Sequence, residues 1–180
     1  MTITARAGTR DLSFIALMTA LMAVCSWITI PFSLVPFTLQ TFAVFTALAL
    51  LGGRRGTLTI LLYLCLGLVG LPVFAGFSGG AGVLVSASGG YLLGFAGTGL
   101  VYWALTARLG DTLPLKAAGL LLGMAVYYAV GTAWFILVYA RGTSLGAALL
   151  LCVVPFIPAD LIKLALALAV SRRVGAVIKP

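Results

Sequence analysis

Histidine and glutamate are missing from these 180 residues, and the only acids are Asp11, Asp111 and Asp160. Without them the usual zinc ligand sets and most general acid–base pairs are excluded. Cysteine is scarce: Cys25, Cys65 and Cys152 lie far apart in apolar stretches, and none forms a CxxC. No disulfide framework or metal site follows, and the three read as small apolar packing residues. No stretch matches GxxxxGK[ST], so the chain hydrolyses no nucleotide on its own. Charged residues make up only 8%, against roughly a quarter in a soluble domain.

Apolar length is abundant. The chain is 63% hydrophobic with a mean hydropathy of +1.24, which identifies an integral membrane protein surrounded by lipid. The net charge of +8 does not point to nucleic acid, because the cations fall between apolar spans instead of clustering with exposed aromatics. A spanning helix needs about 17–25 residues. Reading for breaks predicts an all-α protein with six such helices, over about 12–30, 36–52, 57–75, 83–107, 115–139 and 147–171. The breaks are Pro31 with Pro36, Gly52 to Gly56, Gly76 to Gly82, Arg108 to Lys116, and Arg141 to Ser144. The first run has no convincing cleavage pattern and is expected to be retained as a helix.

Lys and Arg set the orientation. Arg6, Arg10, Arg54, Arg55, Arg108, Lys116, Arg172, Arg173 and Lys179 share one side, and Arg141 faces the other. Both termini are therefore expected in the cytoplasm. Residues 1–180 are expected to form one six-helix transmembrane domain.

The last span carries a charged pair, Asp160 and Lys163, in Pro155-Phe156-Ile157-Pro158-Ala159-Asp160-Leu161-Ile162-Lys163. An ionised group in hydrocarbon costs at least about 2.5 kcal/mol and is functional by default. At a spacing of three the two share a helix face, and Pro158 suits the first turn. The expectation is a helix that starts inside the membrane and offers a carboxylate and an ammonium to an outward-facing pocket. The plain alternative is an ion pair tying two helices together.

Other features leave their roles open. The glycine-rich Gly76–Gly82, followed by Gly89, Gly90 and Tyr91, suits a loop capping a pocket. The GxxxG of Gly90 and Gly94 equally suits helix packing. Thr38 and Gln40 put polar groups at the outer end of the second span, facing a pocket or a neighbouring helix. Ala16 and Ala20 form a small-xxx-small pair, for internal packing or for docking. One or two of the Trp and Tyr residues are expected to stack on a ring in the pocket.

The chain resembles the biotin-specific S components (BioY family) of energy-coupling factor (ECF) transporters. Four stretches carry the likeness, in the family's order: Val35-Pro36-Phe37-Thr38-Leu39-Gln40-Thr41, Gly70-Leu71-Pro72-Val73-Phe74, Gly89-Gly90-Tyr91-Leu92-Leu93-Gly94-Phe95, and the segment around Asp160 and Lys163. Where the family usually reads Gly-Pro-Thr, this chain has Ser86-Ala87-Ser88. The resemblance implies a substrate-binding subunit in a prokaryotic inner membrane that captures biotin from outside. It also implies a transmembrane coupling subunit and two ATPases as partners, with Ala16 and Ala20 facing the coupling subunit. The ureido ring offers two N–H donors and a carbonyl acceptor, so Asp160 is expected to accept from the ring. Lys163 is expected to donate to the ureido carbonyl or to pair with the valerate carboxylate, for which Arg141 is a second candidate. The competing readings are an S component for thiamine or riboflavin, a small intramembrane enzyme, and a channel that needs no ATP. The lack of His and Glu weighs against an enzyme.

Overall fold

The computed structural model describes residues 8–30 and 35–177, with side chains to 176. Arg6, Pro31 and Lys179, used above for topology and punctuation, lie outside the described residues.

Helix α1 (Thr9–Trp27) follows Gly8 and carries Asp11 in its first turn, where the helix dipole favours an anion. It buries Ile15, Met18, Met22 and Cys25 on one side. Leu12, Ala16, Leu17, Ala20 and Val24 are exposed on the other. Ala23, close in sequence to the small pair, faces inward. Two short strands then pair antiparallel, β1 (Thr29–Ile30) with β2 (Phe37–Thr38). The sequence suggested only a loop there.

Helix α2 (Gln40–Val69) is one element by hydrogen bonding, yet its direction reverses at Gly52, whose φ of 80° and ψ of 173° are not helical. Two contacts establish the reversal. The Gln40 side-chain amide donates to the Tyr63 hydroxyl at 2.9 Å, although 23 residues of straight helix would separate them by about 34 Å. A Cβ added to Gly56 would lie 2.8 Å from the Leu48 Cα. The arms 40–51 and 53–69 therefore run antiparallel, and the expected break from Gly52 to Gly56 narrows to a single residue. Glycine alone tolerates that φ without strain.

The chain then crosses an irregular stretch with short 3₁₀ turns at Ala75–Phe77 and Ala81–Val85. Indole N–H groups tie it down: Trp27 donates to the Pro72 carbonyl at 2.9 Å and Trp134 to that of Leu84 at 2.7 Å. Helices α3 (Gly89–Leu109) and α4 (Leu113–Trp134) form an antiparallel pair, and α4 runs on into a π-helical turn, Phe135–Tyr139. Their seam is built on glycine. An added Cβ would meet Trp134 Cβ at 2.2 Å from Gly90, Tyr127 Cα at 2.7 Å from Gly94, and Tyr91 Cδ1 at 2.2 Å from Gly131.

Helix α5 (Leu145–Cys152) and helix α6 (Ile157–Val177) meet at a 49° bend. Pro158 sits in the first turn of α6, where its missing N–H costs nothing. Among the described residues four helices are long and apolar enough to cross a membrane, or five if the bent pair is one crossing, with both arms of α2 counted together. This is a multi-pass membrane architecture.

Candidate functional site

The site forms where three irregular or bent segments meet. The strand β2 leads into the first arm of α2, the irregular stretch contributes Phe74, Ala75, Ser78 and Val83, and the α5–α6 region contributes Cys152, Phe156, Asp160 and Lys163. Between them lies a cavity whose space free of protein atoms, open solvent at the mouth included, is about 620 Å³. Most of its lining is apolar, including Phe74, Leu92, Phe95 and Phe156. The polar lining comprises Thr38, Gln40, Thr41, Ser78, Ser88, Tyr91, Tyr127, Tyr128, Asp160 and Lys163.

Asp160 and Lys163 are 3% and 5% exposed, so each must find its partners inside the protein. They form an ion pair, with Lys163 Nζ 2.8 Å from Asp160 Oδ1. The Thr41 hydroxyl also donates to Oδ1, at 2.9 Å. Oδ2 accepts from the hydroxyls of Tyr127 and Tyr128, the latter at 2.7 Å. A carboxylate has about four acceptor positions, and all four are taken. Lys163 is equally saturated: its three donors reach Asp160, the Thr38 carbonyl at 2.7 Å and the Thr41 hydroxyl at 3.0 Å. The ammonium also stands 4.1 Å from the Phe37 ring centroid, within cation–π range.

This geometry revises the simple expectation that the pair reaches out to a ligand with free valences. A ligand N–H must either displace one of the four donors on Asp160 or bond to the hydroxyl oxygens of Tyr127 and Tyr128. Having donated inward, those oxygens keep lone pairs for the cavity.

Of the residues singled out in sequence, Asp160, Lys163, Thr38, Gln40 and Tyr91 line the cavity. Gly89 and Gly90 do not. A Cβ at Gly89 would lie 2.0 Å from the Leu84 carbonyl oxygen, and Gly90 admits Trp134, so both serve close packing. Their neighbour Ser88 is the lining residue. Arg141 is exposed in the turn before α5 and is not among the lining residues. Ala16 and Ala20 are exposed on α1, away from the cavity.

Sequence reasoning missed the four-donor shell of Asp160. Tyr127 and Tyr128 stood out only as two aromatics among many. The available signal was two consecutive phenols in a strongly apolar span, since buried hydroxyls need partners. Their shared partner, 32 and 33 residues away, could not be read from spacing.

At the opposite end lie Asp11 with Arg55 (3.0 Å) and Asp111 with Lys116 (3.0 Å). Lys116 also donates to the Ala49 carbonyl at 3.0 Å, satisfying an end of the first α2 arm. Every acid in the chain is thus paired with a cation. No cluster of metal-ligating groups occurs among the described residues.

Comparison with known proteins identifies the family of this chain. The biotin transporter BioY of Thermotoga maritima is 41% identical over 169 residues, covering 91% of this chain and 95% of that protein. The probable biotin transporter BioY of Pyrococcus horikoshii is 37% identical, with the same two coverages of 91% and 95%. A crystal structure of the S-component for biotin from an ECF-type ABC transporter superposes with a TM-score of 0.83 at 29% identity, covering 96% of this chain and 94% of that one. The BioY family model spans residues 1–180, and the chain belongs to the BioY family.

Proposed function

We propose that this chain is the biotin-capturing S component of an ECF-type vitamin importer, which takes biotin from the outer side and has no catalysis of its own. The observation that carries the reading is a cavity of mostly apolar lining that ends in a buried polar cluster around Asp160, in a chain of the BioY family. The apolar walls suit the thiophane ring and alkyl tail. The acceptor-rich end suits the two ureido N–H groups.

In this reading residues 1–180 form one six-helix unit in the inner membrane, with both termini cytoplasmic. The crossings are α1, the two arms of α2, α3, α4, and α5 with α6 as one bent span. Support comes from the reversal at Gly52 and from the cationic residues Arg54, Arg55, Arg108, Lys116, Arg172 and Arg173, set against Arg141 alone. The first arm, 40–51, is about 18 Å long, so it starts below the outer surface and is reached through 35–39. The exposed face of α1 with Ala16 and Ala20 is offered to the coupling subunit, which works with two ATPases.

Calorimetric titration of the purified chain in nanodiscs with biotin, and then with biotin methyl ester, tests the reading. Tight binding of biotin is the expected result. With Lys163 saturated and Arg141 outside the cavity, the ester should bind within a few-fold of the acid. A folded sample that ignores biotin and binds thiamine or riboflavin overturns the assignment.

A further inference from the structure

Behind the cavity wall runs a short polar chain that the pocket itself does not need for burial. Tyr63 is fully buried and is not a lining residue. Its hydroxyl donates to the Val73 carbonyl at 2.8 Å and accepts from Gln40 Nε2 at 2.9 Å. A phenol has one proton. Once that proton goes to Val73, the Tyr63 oxygen has only acceptance to offer Gln40.

The competing arrangement would turn the amide over, with Tyr63 donating to Gln40 Oε1. The Val73 carbonyl would then depend on Ser26 alone. Ser26 also has one proton, and it stands within reach of the Ala23 carbonyl at 2.7 Å as well as Val73. Turning the amide therefore strips the Val73 carbonyl of one of its two donors, a net loss of one hydrogen bond in a dry site. The Tyr63 ring is itself held edge-on against Phe74, with centroids 5.4 Å apart. Phe74 in turn occupies the space that a Cβ at Gly67 would take, 2.0 Å from Cζ. The phenol is thus packed into one position.

We propose that Tyr63 is a positioning residue that locks the Gln40 amide with Nε2 toward the protein and Oε1 toward the cavity, making this position an acceptor for a ligand N–H. Gln40 is 5% exposed and lines the cavity, and its Oε1 has no partner among the described residues. With the hydroxyl protons of Tyr127 and Tyr128 turned onto Asp160, Oε1 adds to a polar end that accepts. A head group rich in N–H is selected, and one offering only acceptors is refused. This rests on the biotin reading above and adds a specificity element to it.

The test is a cycle of Tyr63→Phe, Gln40→Ala and the double variant, each in the full chain in nanodiscs and each checked for its melting temperature. Affinity is measured for biotin and for its two cyclic carbamate analogues, in which one ureido N–H or the other is replaced by a ring oxygen. The parent should bind one of the two carbamates, the one lacking the N–H that meets Gln40, about three- to tenfold more weakly than it binds biotin, the size of one neutral hydrogen bond. Gln40→Ala should abolish that preference for biotin over this carbamate. Tyr63→Phe should reduce it by at least half, and adding it to Gln40→Ala should weaken biotin binding no further. Independent, multiplying losses in the double variant, or an undiminished preference in Tyr63→Phe, overturn the positioning role while leaving the biotin reading intact. Failure of the parent to bind biotin overturns both.

Discussion

Asp160 shows how much one buried charge demands. Four donors from three elements converge on it: Thr41 from α2, Tyr127 and Tyr128 from α4, and Lys163 one turn along α6. Asp160→Asn keeps the shape and removes the charge. It places an N–H₂ group against hydroxyls that must donate, and it leaves Lys163 buried without its counter-ion. Removing one partner of a buried pair costs about 3–5 kcal/mol, and hydrogen bonds to charged groups are worth about 1.5–3 kcal/mol. We expect Asp160→Asn to lower the melting temperature and to weaken biotin binding at least tenfold by titration. Parent-like affinity in a folded variant would make the pair purely structural.

The α3–α4 seam positions the two tyrosines. Gly94 lets α3 approach the Tyr127 backbone directly, and a backbone atom has nowhere to swing. Gly94→Ala should therefore push α4 outward and draw Tyr127 off Asp160. Overpacking of this kind costs about 1–3 kcal/mol. Gly97→Ala is the control, because its added Cβ would meet only a Val126 methyl, at 2.9 Å. Thermal unfolding and biotin titration should show both properties reduced in Gly94→Ala and both near the parent in Gly97→Ala. Equal behaviour of the two would remove the seam from the argument. The GxxxG of Gly90 and Gly94 was legible in sequence. What it packs against was not, because helix pairing is a tertiary fact.

For the whole molecule the organising asymmetry is charge. The ion pairs of Asp11 and Asp111 gather with Gly52 and Arg54 at one end, and the cavity opens toward the other. In a cysteine-free background, Arg141→Cys should react with an impermeant maleimide added outside intact cells, and Arg172→Cys only after lysis. The reverse pattern would invert the topology. Tryptophan at Ala16 and Ala20 should leave biotin binding unchanged, since α1 presents both away from the cavity. The same change should abolish co-purification with the coupling subunit of an ECF module. Retained assembly would move the docking face elsewhere.

The sequence alone determined the solvent and the charged pair, while the span expected as one helix over 147–171 is broken between α5 and α6. Lipid admits almost no unpaired charge, so 8% charge and an isolated Asp160–Lys163 spacing carry strong information. Local chemistry likewise placed Pro158 in a first helical turn and a reversal near Gly52, within a residue or two. The tertiary structure decided which groups meet. It closed the valences of Asp160 with residues over a hundred positions away, as in Thr41, and turned Gly89 and Gly90 to packing. It also left Arg141 in a surface turn and put Tyr63 behind Gln40. Such partners are set by how antiparallel helices register, and register depends on side-chain packing between elements that no local spacing encodes.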